Sequence, residues 1–449
     1  MLMEIDSMLP PFANPVEYKR TPLVIDRADG VYFWDTHGNR YLDAVAGVMV
    51  VNVGYGRREI IDAMKAQMDK LTYNFLSYSA SPPALEVAKR LVEISPGEMG
   101  KVFFTTGGSE ASDTAVKIAR LYHVLNGQAT RFRFIGRWIS YHGSTLGGLS
   151  CSGHALRRKN YEPLLLNFPH AAPAYCYRCP FGKEYPDCAV ECASSIEQLI
   201  RNEGPESIAA FIAEPIVGST GGGLVPPPEY FKIVREICDR YGILLVMDEV
   251  LTGFGRTGAM FACNHWNIEP DIIMMAKGMS SGYAPIGGVA VSRRIAETFE
   301  RGKGVDFAHG FTFAGNPVAC VAALKNIEII IRERLPERSL RLGEYLKEKL
   351  KALDHRIVGD VRGKGLLVGV ELVKNKETKQ IFPDHQQVAA EIAARALRKG
   401  VKVFGLKGHD SGMISDFLVI SPPLIITEQE LDHVVNTIDS CLKELETTQ

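Results

Sequence analysis

GILLVMDEV (residues 242 to 250) and DIIMMAK (271 to 277) decide the fold. Each is a short apolar run bounded by turn residues, too brief for an ordinary helix and lacking a polar face, which is the pattern of a strand buried in a parallel sheet. KVFFTT (101 to 106), RFRFIG (131 to 136) and SIAAFIAEP (207 to 215) repeat the signal, with glycine-rich turns and helix-period segments between them. Such alternation predicts an α/β domain with a mostly parallel sheet between layers of helices. At 449 residues the chain exceeds the size at which a single core stops growing, so a second, smaller domain is expected. Beyond about Asn326 the pattern changes to one charged amphipathic helix (326 to 353), then GKGLLVGVELV (363 to 373), a helix near 386 to 399, and a final strand and helix. These read as a small α+β domain. In VYFWDTHGNRYLDAV (31 to 45) two apolar runs flank Thr36, His37, Gly38 and Asn39, a hairpin signature. The expected organisation is an N-terminal segment (1–75) joining the small domain, a large domain (76–325) and a C-terminal small domain (326–449).

Lys and Arg (51) balance Asp and Glu (52), so nothing calls for a nucleic-acid or anionic-membrane partner. No apolar run approaches the roughly 20 residues of a membrane span. The first twenty residues carry acids and prolines where a signal peptide needs a basic start and an apolar stretch, so the cytoplasm is the expected compartment. Nine cysteines, an odd number, read as mostly free thiols.

Ligands of open α/β sheets bind beyond the carboxyl ends of the strands, which directs attention to four places. In TTGGSEASD (105 to 113), Gly107 and Gly108 lead into a helix whose first amides, with the Ser109 hydroxyl, form an anion cradle; the plainer reading is Ser109 as an N-cap. Asp248 ends an apolar strand and needs a cationic partner there. A protonated pyridine nitrogen of a cofactor is one such partner, and Arg256 or a turn cap are alternatives. Lys277 follows five apolar residues, where desolvation drives an amine toward the neutral, nucleophilic form; the glycines after it would let backbone approach a ligand, and the commoner fate of a lysine is to snorkel outward. In YHGST (141 to 145), Tyr141 can stack on a flat ring, whereas His142 reads as a satisfied histidine without a catalytic part.

Two further strings are weighed against these. GFGRTG (253 to 258) fits the dinucleotide fingerprint as letters, but no helical face follows it, which argues against a dehydrogenase. Cys176, Cys179, Cys188 and Cys192 have paired spacing compatible with zinc, although the second pair is C-x-x-x-C and the loop between is short; no metal is assigned.

The four sites, in this order, resemble the class III (omega) aminotransferases among the fold-type I enzymes that use pyridoxal 5'-phosphate (PLP). VNVGYGR (51 to 57), EPIVGSTGGGLVPP (214 to 227), LTGFGRTG (251 to 258), AKGMSSGYAPIGG (276 to 288), HGFTFAGNPVAC (309 to 320) and ISPPLIIT (420 to 427) extend the likeness along nearly the whole chain. The resemblance implies a seven-stranded-type sheet in the large domain. It implies Lys277 as the lysine that carries PLP, Asp248 at the pyridine nitrogen, Tyr141 and Val250 on the two ring faces, Gly108 and Ser109 at the phosphate, and Glu214 supporting the site. Thr312 would reach the phosphate of a neighbouring subunit, implying a homodimer, or a tetramer, with active sites at the interface. The implied reaction moves an amino group from a primary amine or omega-amino acid to a keto acid, pyruvate first, by ping-pong turnover. Racemisation or epimerisation of an amino acid on the same scaffold is the alternative.

Departures from the family pattern bear on the substrate. Gly218, Ser219 and Thr220 stand where ornithine, acetylornithine and 4-aminobutyrate enzymes usually have a glutamate, and Phe417 to Ser421 lack the arginine those enzymes and dialkylglycine decarboxylases place before the proline pair. GLKGHDSGMISD (405 to 416) contains no arginine where amine:pyruvate enzymes hold their carboxylate-binding one, leaving Lys407 and His409 as candidate substitutes. Met49, in the expected pocket-lining segment AGVMVVNVGYG (46 to 56), stands where tryptophan is often found in the amine:pyruvate enzymes, so a different substrate shape is expected.

Overall fold

The computed structural model describes residues 7–20, 23–302, 304–383, 385–407 and 415–448. Its central sheet runs in the order Met99–Thr105, Gly287–Ser292, Ile272–Met275, Leu244–Asp248, Ile208–Ala213, Arg133–Trp138 and Ser152–Gly153. A further two-residue strand, His170–Ala171, also pairs with Arg133–Trp138. All five apolar runs became strands. Gly287–Ser292 was not anticipated, and it is antiparallel to both of its neighbours while the remaining pairs are parallel. Its sequence, GGVAVS, is glycine-led and small, and the glycines are steric requirements: a Cβ on Gly287 would lie 2.6 Å from Thr105 Oγ1 and 2.9 Å from the Met275 carbonyl.

Alternation along the parallel strands explains why they are apolar throughout. Phe134, Ala210, Ile212, Leu244, Val246, Ile272 and Met274 face a cluster built with Ala111, Ala115, Ile118 and Ala119 of the Gly108–Leu125 helix. The intervening Ile135, Phe211, Ala213, Leu245, Met247, Ile273 and Met275 belong to the larger cluster on the other face. Successive side chains point to opposite sides, and both sides are covered. Emptying one such position, as in Phe211→Ala, costs about 3–5 kcal/mol.

The hairpin predicted at residues 31 to 45 is present as Tyr32–Asp35 and Arg40–Asp43, with Trp34 opposite Arg40. Its sheet is completed by Val401–Lys402, parallel to Arg40–Asp43, so the N-terminal segment and the C-terminal region share one sheet. The third sheet holds Val358–Gly363, Val368–Leu372, Phe417–Ile420 and Phe404–Leu406. The single helix expected over 326 to 353 is two, Pro317–Arg332 and Leu335–Lys351. Arg334 between them takes a left-handed φ of 51°, and Pro336 at the second position of the new helix has no amide with which to continue the old one. The Pro317–Arg332 helix runs continuously through residues 325 and 326, the expected domain boundary.

Among the described residues no helix is long and apolar enough to cross a membrane.

Candidate active site

Register places the predicted residues together. Met274 pairs with Asp248, and Ala213 with Met247, so Lys277, Asp248 and Glu214 all emerge at the carboxyl edge of adjacent parallel strands. Tyr141 follows the next strand, Arg133–Trp138, at the same edge. One cavity of about 150 Å³ at this edge is lined by Gly108, Ser109, Tyr141, Glu214, Asp248 and Val250, with Lys277. His142, Gly143, Ser219 and Leu251 complete its wall. A second cavity of about 270 Å³ shares Gly108 and Lys277 with it. A larger one, about 680 Å³, lies beside Lys117, Arg120 and Phe132 and holds none of the predicted site residues.

Asp248 is buried, and its partner is neither Arg256 nor solvent. His142 Nδ1 stands 2.7 Å from Asp248 Oδ2 and donates to it, while the Val250 amide donates to Oδ1 at 3.0 Å. His142 is thus satisfied, as its sequence context suggested, but by the site carboxylate itself. The signal available was its place immediately after Tyr141 at a strand end. Arg256 is fully buried elsewhere, donating to the carbonyls of Leu366 and Pro422 and to Asn52 Oδ1, and burial pushes its guanidinium down to about 9. That use also explains GFGRTG: the segment is a turn that carries Arg256 inward and opens no crossover helix.

Glu214 is buried too. Its Oε1 accepts from the Tyr141 amide (2.9 Å) and its Oε2 from the Gly218 amide (3.2 Å); burial holds its carboxyl above the usual range. Arg137, missed in the sequence, lies almost wholly buried and donates to the Glu214 carbonyl at 2.5 Å, fixing the strand end from behind.

Ser109 is not the N-cap. Gly107 occupies that position without a side-chain cap, and Ser109 Oγ instead accepts from the Ser144 amide at 3.0 Å. The first helical turn therefore opens toward the cavity with amides that have no partner inside the helix. Two glycines permit the crowding: a Cβ on Gly108 would sit 2.8 Å from Val250 Cγ1, and Gly143, at φ 123°, would place one 2.7 Å from Ser109 Oγ.

Lys277 has a left-handed φ of 46°, costly for a side chain with a Cβ, and it begins a short 3-10 turn. Burial pushes its amine below the ordinary lysine range, against the pull of Asp248 and Glu214. Among the described residues no hydrogen bond or ion pair reaches its Nζ. The lysine therefore faces the cavity and does not snorkel outward. Of the glycines after it, Gly278 serves internal packing, since a Cβ there would lie 2.4 Å from Asn52 Nδ2, whereas Gly282 lines the second cavity.

Met49, Thr312 and Lys407 do not line the first cavity. Met49 is buried in the apolar cluster that includes Ile139, Ile216 and Leu251, behind the cavity wall, while its neighbour Val50 lines the second cavity. Thr312 is exposed, its carbonyl accepting from Tyr73 Oη at 3.1 Å. Lys407 is exposed at the end of its described stretch, and His409 lies outside the described residues. All nine cysteines are free. Cys176, Cys179, Cys188 and Cys192 line one small cavity, and among the described residues no cluster of three or more His, Cys, Asp or Glu is arranged to hold a metal ion. The loop they belong to docks on the C-terminal sheet, where Tyr175 and Arg178 (2.6 Å) both bind buried Glu371.

The site has the parts a phosphorylated pyridine aldehyde needs: an amine without a partner, a buried carboxylate, an aromatic face and a helix start. The class-III aminotransferase family model matches residues 13–442. A putrescine–pyruvate aminotransferase of Pseudomonas aeruginosa is 39% identical over 443 residues, covering 98% of this chain and 94% of that protein. An (S)-enantioselective omega-transaminase of Thermomicrobium roseum superimposes with a TM-score of 0.92 at 40% identity, covering 98% and 96% of the two chains. A PLP-bound amine transaminase from an uncultivated Pseudomonas species gives 0.92 at 36% identity, covering 97% and 98%.

Proposed function

The chain belongs to the class-III aminotransferases, which depend on PLP, and on that premise we propose that it moves the amino group of a primary amine or omega-amino acid to pyruvate in two alternating half-reactions. The observation that carries this reading is the convergence of Lys277, Asp248, Tyr141 and Ser109 on one cavity at the carboxyl edge of the sheet.

In this reading Lys277 would hold the cofactor, Asp248 would serve its ring nitrogen, Tyr141 and Val250 its ring, and Gly108 and Ser109 its phosphate. The bound cofactor supplies an electron sink for the pair released when a C–H bond beside the substrate nitrogen breaks. The protein's own groups do the rest. Asp248, fixed by His142 and the Val250 amide, keeps a positive charge on the ring nitrogen favourable. Lys277 Nζ, held toward its neutral form by burial, takes a proton from the substrate carbon and returns one during the same half-reaction. Glu214 keeps the Tyr141 backbone in place.

Pyruvate is favoured over 2-oxoglutarate because Gly218, Ser219 and Thr220 offer no charged side chain for a second carboxylate, and the named activity of the Pseudomonas aeruginosa relative points the same way. Comparison of kcat/KM for the two acceptors tests it; a clear preference for 2-oxoglutarate defeats this part of the reading. A homodimer is the assembly proposed, with exposed Thr312 serving the neighbouring site. Thr312→Ala should then weaken PLP retention without unfolding the chain, as dialysis followed by absorbance reads.

A further inference from the structure

Cysteine is placed unevenly in this chain. Cys151, Cys238, Cys263, Cys320 and Cys441 are all buried, whereas every cysteine with solvent exposure belongs to one loop: Cys176 is exposed, Cys179 and Cys188 are partly so, and buried Cys192 lies beside them. These four line a single void of about 10 Å³, no larger than one water. Their side chains therefore meet around one point. Partial desolvation, followed by the proximity of Cys188 and then Cys179, holds the Cys176 thiol above its usual range. The cysteines buried elsewhere behave as small apolar core residues; thiols gathered at the surface are open to chemistry that burial prevents.

The loop around the void also ties the central sheet to the C-terminal one. Cys176 opens the short 3-10 turn Cys176–Arg178. Tyr175, just before it, binds buried Glu371, and the Arg362 guanidinium carbon lies 5.0 Å from its ring centroid. Arg178 donates to Glu371 and to the Lys379 carbonyl, while Lys379 Nζ donates to the Tyr177 carbonyl. Arg362 in turn donates at 2.7 Å to the carbonyl of Gly221, in the turn that brings Ser219 to the wall of the active-site cavity. Cys188, on the far side of the loop, precedes the Glu191–Glu203 helix, whose Ile196 and Ile200 pack in the core cluster of Phe211 and Met247. A bond from Cys176 to Cys188 joins the turn that grips the C-terminal sheet to the start of that helix.

We propose that Cys176 and Cys188 form a reversible disulfide that locks this loop on the C-terminal sheet. The oxidant is a small-molecule disulfide of the glutathione type. Exposed Cys176, as its thiolate, attacks one sulfur of glutathione disulfide, breaking that S–S bond and releasing one glutathione; Cys188 then displaces the second glutathione from Cys176 and closes the protein's own S–S bond. The two protein thiols lose two electrons and two protons, which leave on the two glutathione molecules. Cys188 is the partner because Cys192 is buried in the first turn of its helix, and the Cys179 carbonyl is held in a separate turn by the Gly182 amide at 3.0 Å.

The test equilibrates the PLP-loaded full chain and its Cys176→Ser and Cys188→Ser variants in glutathione buffers of graded reduced-to-oxidised ratio. Remaining thiols are blocked with iodoacetamide, and trypsin then cuts after Arg178 and Lys183, which puts Cys176, Cys179 and Cys188 on separate peptides; fragmentation distinguishes Cys188 from Cys192. Wild-type protein should lose two free thiols together and yield a peptide pair linked through Cys176 and Cys188 that dithiothreitol releases. Its thermal midpoint should rise by about 2–4 °C on oxidation, since a bond closing a short loop restricts the unfolded chain. Cys188→Ser should stop at a glutathione adduct on Cys176, Cys176→Ser should stay unreacted in this loop, and neither should gain stability. A different pairing, four thiols still free in the most oxidising buffer, or a cross-link that leaves the midpoint unchanged overturns the proposal. So does stoichiometric zinc that blocks oxidation until a chelator removes it, which would make the four sulfurs a metal site.

Discussion

On the strand side of the cavity, Asp248 and Glu214 are gripped by the chain's own donors: His142, and the amides of Val250, Tyr141 and Gly218. Beside Tyr141, Arg157 rests against two rings and keeps its N–H edges unspent. Both regions hold charge out of bulk water, but they satisfy it differently. A carboxylate that must keep one geometry through every turnover is best fixed by short, permanent hydrogen bonds. The guanidinium is held instead by aromatic faces, which keep it out of bulk water without using its donors. Lys277 stands between the two regimes: fixed in a strained backbone conformation, with its amine unpartnered.

The contrast breaks most completely at Lys277. Lys277→Ala should still bind PLP through Asp248, Ser109 and Tyr141 but lose transamination by at least about four orders of magnitude, since the group that transfers the proton is gone. Borohydride reduction, digestion and mass spectrometry of the native enzyme should place the pyridoxyl adduct on Lys277. An adduct on another lysine with Lys277 unmodified would overturn the arrangement.

Next in size is Asp248→Asn. The amide keeps the shape and can still meet His142, but it no longer favours a charged pyridine nitrogen, so turnover should fall by about two to three orders of magnitude with cofactor retained. Near-normal kcat would mean that Asp248 is a turn residue whose burial beside the cavity has no chemical role.

The strand side was legible in the sequence because its signals are local. An apolar run that ends in Asp248 or Lys277 announces a strand with a charged residue at its tip, and the register of parallel strands then aligns those tips without further information. What escaped notice depends on partners distant in the chain. His142 looked inert because the residue it serves is 106 positions away. Arg157 gave no sign at all, since an arginine in a polar stretch resembles any surface arginine until Tyr141 and Phe12 are seen around it. Gly287–Ser292 was hidden by glycines that look like loop and are needed for strand packing. The break at Arg334 was overridden in the reading by apolar periodicity that runs through it.

The smallest expected effect sharpens the comparison at His142, where a positioning role can be separated from a structural one. His142→Leu removes the donor to Asp248 Oδ2 and leaves a buried carboxylate with the Val250 amide as its remaining protein donor. Losing one hydrogen bond to a buried charged group costs about 1–3 kcal/mol, and the cofactor's ring nitrogen compensates part of that when bound. The apoenzyme should therefore lose more stability than the loaded enzyme, and kcat should fall by roughly tenfold, far less than for Asp248→Asn. His142→Asn provides the control, because its side-chain amide places a donor near the position of the imidazole Nδ1 and should restore most of the activity. The readouts are kcat, PLP retention and the thermal midpoints of both forms. Recovery in Asn with loss in Leu assigns His142 to the orientation of Asp248. Equal loss in both variants would mean that the imidazole ring is needed for its packing, and the strand side would then owe its rigidity to shape more than to hydrogen bonding.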